Sequence, residues 1–337
     1  MAVIGAGAFG RNHARVYHEL QQQGTAELVA VVDADGARAK AVAGQFGAKA
    51  FSSVAELLRE AKPQAASVAV PTVHHASVAC ELMEAGVDVL IEKPVASSLA
   101  DADEILRTAE RSQRVAQVGH LERFNPAVRA TVPLITKPMF FEVHRLSVFT
   151  PRALDVDVVL DLMIHDLDIV LSFVATPVKE IRAVGLPILS GKVDIANVRM
   201  EFESGCVANF TASRVSTEKV RKLRFFQAQE YISIDYSRQD VFALKVDSAA
   251  VAAAMMAGTV APESLGALIK PRKPAIRQEE PLQAELSSFL DAVRQRTKPV
   301  VSVEAGRRAL AVALDVLSAI KVHNQRIKVE AAWGTKG

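Results

Sequence analysis

The stretch AVIGAGAFGRNHARVYHELQQQGTAELVAVVD, residues 2–33, decides the fold. A short apolar run, Ala2 to Ile4, breaks at Gly5-Ala6-Gly7-Ala8-Phe9-Gly10. Residues 11–23 then read as a helix, and 27–33 (ELVAVVD) as a second apolar strand that ends on an acid. A GxGxxG loop between strand and helix sets backbone N–H groups and the positive end of the helix against a pyrophosphate. Glycine-rich turns with this spacing also arise incidentally; here strand, helix and acid fall in register. Gly5, Gly7, Ala8, Phe9 and Gly10 are therefore the expected cradle of a dinucleotide. Asp33 follows Gly10 by 23 residues. A carboxylate there accepts hydrogen bonds from both ribose hydroxyls and repels a 2′-phosphate, so the expected cofactor is NAD rather than NADP. Arg38 fits a 2′-phosphate contact or, more commonly, a solvated helix face. The run before Gly5 is shorter than the usual strand of about 5–6 residues, as expected of a chain that begins inside the strand.

Outward from this stretch the same alternation continues. Apolar runs at 66–70, 87–91 and 115–119 are separated by Ala/Leu/Glu/Arg-rich segments at 36–46, 53–61, 75–85 and 98–112. Strands that are apolar throughout, separated by helices, predict a parallel sheet covered on both faces. The fold class is α/β: a doubly wound Rossmann domain over residues 1–120. After residue 120 the texture changes. Segments 138–149, 178–190, 192–202, 205–214, 222–228, 230–235 and 240–246 read as strands joined by short turns. They predict a second α/β domain, 121–337, with a large, mostly antiparallel open sheet. A helix is expected over 156–174, a surface excursion over 248–281, and two closing helices within 282–323 assigned to this second domain. An open sheet face left apolar predicts a homodimer or homotetramer packed face to face.

Bulk properties exclude several classes. A net charge of +2 over 337 residues offers no field for nucleic acid or an anionic membrane. Two cysteines, Cys80 and Cys206, form no CxxC pair, which argues against a disulfide framework or structural zinc and predicts reduced thiols in the cytoplasm. The longest apolar stretch, 156–178, is interrupted by Asp157, Asp161, His165, Asp166 and Asp168, so no membrane span is expected. The N-terminus shows no targeting signal.

Three further groups carry candidate chemistry. Glu92-Lys93-Pro94 ends the apolar strand VLIEKP, at the sheet edge where open α/β folds bind ligands. A lysine there suits proton transfer beside a charged ring, or equally a salt bridge at a strand end. Pro71, Thr72 and the pair His74-His75 end the preceding strand; one histidine suits the cofactor ribose, or a solvated helix start. In Asp161-Leu162-Met163-Ile164-His165-Asp166-Leu167-Asp168, helical winding places 161, 165 and 168 on one face. Asp161 then holds one tautomer of His165, a ready base for an alcohol proton. A histidine in a buried structural network is the competing reading.

Together GxGxxG, Asp33, Pro71 with His75, Glu92-Lys93-Pro94, Arg123-Phe124-Asn125-Pro126 and Asp161…His165…Asp168 follow the order of the Gfo/Idh/MocA oxidoreductases, and the chain resembles that family over nearly its whole length. The resemblance implies NAD(P)-dependent oxidation or reduction of a sugar, sugar nucleotide or polyol. It implies Lys93 and His165 as the proton-transfer pair and Asp161 as orienter. Cofactor contacts then come from Gly5, Gly7, Ala8, Phe9, Gly10, Asp33, Pro71, Thr72, His75, Glu92, Lys93 and Pro94. Substrate contacts come from Lys93, Arg123, Asn125, Asp161 and His165, with no metal. Met163 departs from the glycine of many members, narrowing the space beside the substrate or regularising the helix. VGHLERFNPAV and DLMIHDLDIVL look most like a branch acting on UDP-sugars, which implies the C3 hydroxyl of UDP-N-acetylglucosamine. Arg123, Arg145 and Arg152 are then expected near a diphosphate. A free-sugar or inositol dehydrogenase, or an NAD-binding regulator without turnover, are the alternatives; a regulator has no physical need of a base beside its orienter.

Overall fold

Apolar on both faces, the short runs of the first part of the chain pair as one parallel sheet. Its strands are β1 (Ala2–Ile4), β2 (Ala30–Val32), β3 (Lys49–Phe51), β4 (Ala65–Val68), β5 (Asp88–Glu92) and β6 (Ala116–Gly119). Their order is β3-β2-β1-β4-β5-β6, every pair parallel. The computed structural model describes residues 1–150, 156–256 and 269–327. Strand β3, at the sheet edge and only partly buried, lacks the apolar run that marks the others in sequence. Chain order reverses between β1 and β4, which makes a switch point at their carboxyl ends.

Helices α1 (Ala8–Gln22), α2 (Gly36–Phe46), α3 (Val54–Glu60), α4 (His75–Glu84) and α5 (Leu99–Ser112) connect these strands. In α1 the buried positions His13, Val16, Tyr17 and Leu20 recur at helical spacing. Tyr17 is wholly buried and its hydroxyl lies 2.8 Å from Ser67 Oγ of β4. This polar tip is satisfied while the ring packs.

The boundary differs from the expected one. One compact unit holds Met1–Phe124 together with Glu279–Ala311; the other holds Asn125–Gln278 and the chain from Val312 on. The helix Pro281–Gln295 was expected in the second domain, yet its Leu286, Phe289 and Leu290 share a core with Val16, Tyr17 and Leu20. An amphipathic helix shows in sequence that it has an apolar face, but not which core receives it. Burying Leu286 and Phe289 contributes roughly 1.5–3 kcal/mol each. The chain after this helix then joins the edge of β6, where Val118 N–H donates to Val301 O at 2.9 Å.

The second unit is built on eight strands: β7 (Pro138–Val148), β8 (Val178–Leu186), β9 (Ile195–Phe202), β10 (Val207–Ser216), β11 (Val220–Gln227), β12 (Glu230–Asp235), β13 (Asp240–Val246) and β14 (Ile269–Arg272). They run in the order β14-β13-β12-β11-β7-β10-β9-β8, antiparallel except for β7 with β10. Helices α6 (Pro126–Thr131), α7 (Ile164–Phe173) and α8 (Ser248–Met256) also belong here. The expected excursion 248–281 thus contains α8 and β14; residues 257–268 lie outside the described part. Two closing helices, α9 (Pro281–Gln295) and α10 (Val303–Arg326), complete the order.

One face of this sheet is core: Phe141, Val198, Met200, Phe210, Leu223 and Phe225 are buried. The opposite face was expected to be apolar. It instead alternates Glu142, Asn197, Arg199, Asn209 and Thr211 with one aromatic group, in which Phe226 lies 5.8 Å from Phe140 and 5.2 Å from Tyr231 between ring centres. Strand period 2 sends every second residue outward, and most of these are polar. No described helix is long and apolar enough to cross a membrane.

Candidate active site

Gly5, at φ +96°, turns the chain out of β1; a Cβ there would lie 2.5 Å from Ala69 O of the neighbouring strand. A Cβ on Gly10 would overlap the carbonyl oxygen of Gly5, so helix α1 sits directly against the end of β1. Among the described residues, nothing outside its own helix and chain neighbours lies within 4 Å of a Cβ on Gly7, which lines a cleft of about 740 Å³ with Ala8, Phe9, Asp33, Pro71 and His74. Helix α1 starts at Gly7 with no side-chain cap, which leaves its first N–H groups for an anion. Asp33 closes the cleft. Its Oδ2 accepts from Ala6 N–H at 2.7 Å and its Oδ1 from Asp35 N–H at 2.8 Å, which fixes the carboxylate. Arg38 Nη1 stands 3.7 Å from Asp33 Oδ2, so this arginine is drawn to the two acids beside it rather than to a 2′-phosphate site. An uncapped helix end, an open Gly7 and a fixed acid at the far side together fit a dinucleotide of the NAD type.

Lys93 follows β5 half-buried, with a cis peptide bond to Pro94. Its neighbour Glu92 turns back beneath the sheet, where His13 Nε2 of α1 lies 2.8 Å from Glu92 Oε1. The Lys93 N–H donates to Glu92 Oε2 at 3.3 Å. Burial alone would push the Glu92 carboxyl up, but the His13 bond and the charges of His13 and Lys93 outweigh it and hold the group below its ordinary range. Glu285 of α9 is wholly buried, and among the described residues neither of its carboxyl oxygens has a hydrogen-bond partner. Burial, reinforced by the Glu92 charge, raises it well above the ordinary value. Of these two acids Glu92 ionises more readily and Glu285 holds its proton longer.

His75 does not stand where the sequence suggested. It is 1% exposed, and it is His74 that lines the cleft. Nδ1 of His75 lies 2.9 Å from Pro94 O and Nε2 lies 2.9 Å from Val70 O. The ring is occupied by two backbone carbonyls, which leaves it none of the reach a ribose contact needs. Thr72 begins the 3₁₀ turn that leads into α4.

Arg123 sits half-buried on the 3₁₀ turn Leu121–Phe124. Asn125, expected to touch substrate, has another task. Its Oδ1 caps α6 by accepting from Ala127 N–H, its Nδ2 donates to Tyr236 O at 3.1 Å, and it is 3% exposed. Arg145 is likewise not a diphosphate ligand. It is buried and grips Asp166 through two bonds, Nε to Oδ2 at 2.6 Å and Nη2 to Oδ1 at 2.9 Å, with its guanidinium 5.2 Å from the Tyr236 ring centre. A bidentate buried pair of this kind is a structural tie. Arg152 lies outside the described residues.

Asp161 and His165 are both half-buried, but on two windings: Val159–Met163 is a π-helical turn, and α7 begins at Ile164. The helix expected over 156–174 is thus present over 159–173, with its first turn wound as a π helix that ends just before the histidine. Met163 closes the π turn and is 1% exposed in the core. The turn is anchored from its start. Asp157 Oδ1 accepts from Val193 N–H at 2.8 Å, and the Arg214 guanidinium donates to Val156 O. Asp194 Oδ2 in turn accepts from the N–H groups of Ile188, Leu189 and Ser190 at 2.7–2.9 Å. This knot shortens the two strands expected at 178–190 and 192–202. The ties at His13 and Asp166 leave a trace in sequence, as polar residues at apolar helix positions, but their partners leave none.

Comparison with known proteins shows which family the chain is similar to. Residues 1–120 match the model of an oxidoreductase family with an NAD-binding Rossmann fold, and residues 138–230 match a GFO/IDH/MocA C-terminal domain. The chain is 36% identical over 332 residues to UDP-N-acetylglucosamine 3-dehydrogenase of Acidithiobacillus ferrooxidans, covering 96% of this chain and 98% of that protein. A solved structure of that enzyme superposes with a TM-score of 0.84 at 34% identity, over 95% and 97% of the two chains. An inositol 2-dehydrogenase of Rubrobacter xylanophilus is 32% identical over 193 residues, 55% of each chain. The chain belongs to the Gfo/Idh/MocA family and is an NAD-dependent dehydrogenase acting on a CH–OH group.

Proposed function

We propose that this enzyme oxidises the C3 hydroxyl of UDP-N-acetylglucosamine, or reduces the corresponding ketone. What carries the reading is the likeness to one dehydrogenase of that substrate over 96% of the chain, against about half the chain for the inositol dehydrogenase. NAD, when bound, accepts or returns the hydride. The chain's own part is to hold the dinucleotide and move the proton. In this proposal His165 takes the hydroxyl proton at a ring nitrogen, Asp161 keeps the opposite nitrogen protonated, and Lys93 steadies the oxygen by charge and hydrogen bond. Arg123 contacts the substrate.

The test is NAD(P)H formation with a panel of UDP-sugars, free sugars and inositols. Turnover is expected with UDP-N-acetylglucosamine and NAD. Asp33 should disfavour a 2′-phosphate by about 1–3 kcal/mol, roughly 5- to 150-fold in affinity. Turnover confined to inositol or free sugars would favour the second branch of the family, and equal affinity for NADP would remove Asp33 as the selector.

We also propose a homodimer or homotetramer of a cytosolic enzyme. The aromatic group on the open sheet face supports the first part, and two cysteines without a disulfide support the second. Light scattering at micromolar concentration is expected to give two or four times the chain mass; a monomer would count against it.

A further inference from the structure

The turn that carries Lys93 is gripped from both sides by buried imidazoles. On one side His13, wholly buried on α1, reaches Glu92 at 2.8 Å. On the other, His75 at the start of α4 reaches Pro94 O at 2.9 Å. The three residues between are Glu92, Lys93 and Pro94, so the lysine sits at the centre of the grip. Neither histidine belongs to the cofactor cleft, and neither has a place in the proton transfer proposed above. We propose that His13 and His75 are positioning residues for Lys93: they fix the turn so that the ammonium group reaches the reacting oxygen in one geometry.

Two features make these bonds more than packing. First, the Glu92 side chain is only 13% exposed, and its bond to His13 favours the charged form, with the wholly buried Glu285 near it. A buried charge holds its partners strongly, because losing one leaves it unpaired. His13 is therefore a fixed link between Glu92 and the helix that begins in the glycine loop. Second, His75 faces two carbonyl oxygens with one ring. Burial lowers its proton affinity, against the pull of those carbonyls and Glu92. A neutral imidazole has one N–H and donates to one carbonyl at a time. The proposal assigns that proton to Nδ1 and hence to Pro94 O, which ties α4 to the lysine turn. The other assignment would tie α4 only to its own strand end at Val70.

This choice makes the inference testable with two variants of one residue. An asparagine amide reaches the place of Nδ1, and a glutamine amide reaches the place of Nε2. His75→Asn should keep kcat with UDP-N-acetylglucosamine within about threefold of the native enzyme. His75→Gln should lower kcat about 10- to 100-fold, as a misplacement near 1 Å does, with the KM for NAD within about threefold. His13→Gln, which retains a donor at the Nε2 position, should behave as His75→Asn does, and His13→Leu as His75→Gln does. Equal losses in His75→Asn and His75→Gln, or losses that simply follow the melting temperature, would overturn the proposal.

A second readout needs no substrate. Acetylation of Lys93 by N-hydroxysuccinimide acetate, followed by peptide mass spectrometry, should run several-fold faster in His75→Gln than in the native enzyme or His75→Asn. Identical rates in all three would overturn the proposal whatever the substrate proves to be. The inference rests on Lys93 acting in the reaction. Native turnover in Lys93→Met would defeat that reading, whereas an inactive Lys93→Met with a fully active His75→Gln would defeat the inference alone.

Discussion

His165→Ala is expected to lower turnover by about 10²–10⁴-fold, the usual loss on removing a general base. Oxidising a secondary alcohol requires the oxygen to lose its proton as the carbon loses hydride. Free imidazole titrates at about pH 6.5 and is a ready base at neutral pH, whereas a lysine starts at about 10.4 and must be strongly lowered to act as one. We therefore propose the base role for His165 and the supporting role for Lys93. Affinity for NAD should barely move in His165→Ala, because the glycine loop and Asp33 that line the cleft belong to another part of the chain. Lys93→Met should also lose activity, and it alters cofactor affinity as well because its turn follows β5 of the nucleotide-binding sheet. Stopped-flow turnover and NADH fluorescence titration separate these effects. Near-native turnover in His165→Ala would make Lys93 the base.

Gly10→Ala should disable the cofactor site and weaken the fold together. The added methyl meets Gly5 O, a backbone atom that cannot swing aside. Gly5 N–H is bonded to Val32 O at 2.8 Å and Ala69 N–H to Ile4 O at 2.7 Å, so the strand end is held on both sides. Helix α1 is equally fixed, since Val16, Tyr17 and Leu20 are core. Overpacking of this kind typically costs about 1–3 kcal/mol, roughly 2–4 °C of melting temperature per kcal/mol for a unit of this size. The helix must also shift, which takes its N–H groups away from the pyrophosphate, so the Kd for NADH should rise at least about tenfold. Gly7→Ala is the control. Among the described residues, nothing beyond its chain neighbours and its own helix lies within 4 Å of its Cβ. Its melting temperature should stay native while NADH binding weakens, because the methyl enters the cleft. A Gly10→Ala protein with native stability and affinity would show that α1 does not abut β1 as described.

Much of this architecture was legible in sequence because its signals are local. Ala30–Val32 is apolar throughout, and Ala65–Val68 and Asp88–Glu92 hold apolar runs (Ala65-Ala66 and Val89-Leu90-Ile91), which happens when both faces of a strand are buried. The glycines needed no partner to be read, since their role is a backbone conformation. Lys93 could be placed at a strand end because the apolar run before it stops at Glu92. Edge strand β3 was invisible because one-sided burial leaves no continuous apolar run.

By itself, then, the sequence determined the two-part α/β order, the dinucleotide loop and the positions along the chain of Lys93, Asp161 and His165. Tertiary structure decided everything that depends on which side chain meets which. It placed α9 on α1, since an apolar helix face does not name its partner. It turned His75 from the ribose to Pro94 O, Asn125 into a helix cap and Arg145 into the partner of Asp166. It wound Val159–Met163 as a π turn, held from Val193 and Arg214, residues distant in sequence. The reason is common to all of these: a polar side chain's chemistry is set by its own atoms, but its role is set by the group that pairs with it, and that group arrives only when the chain folds.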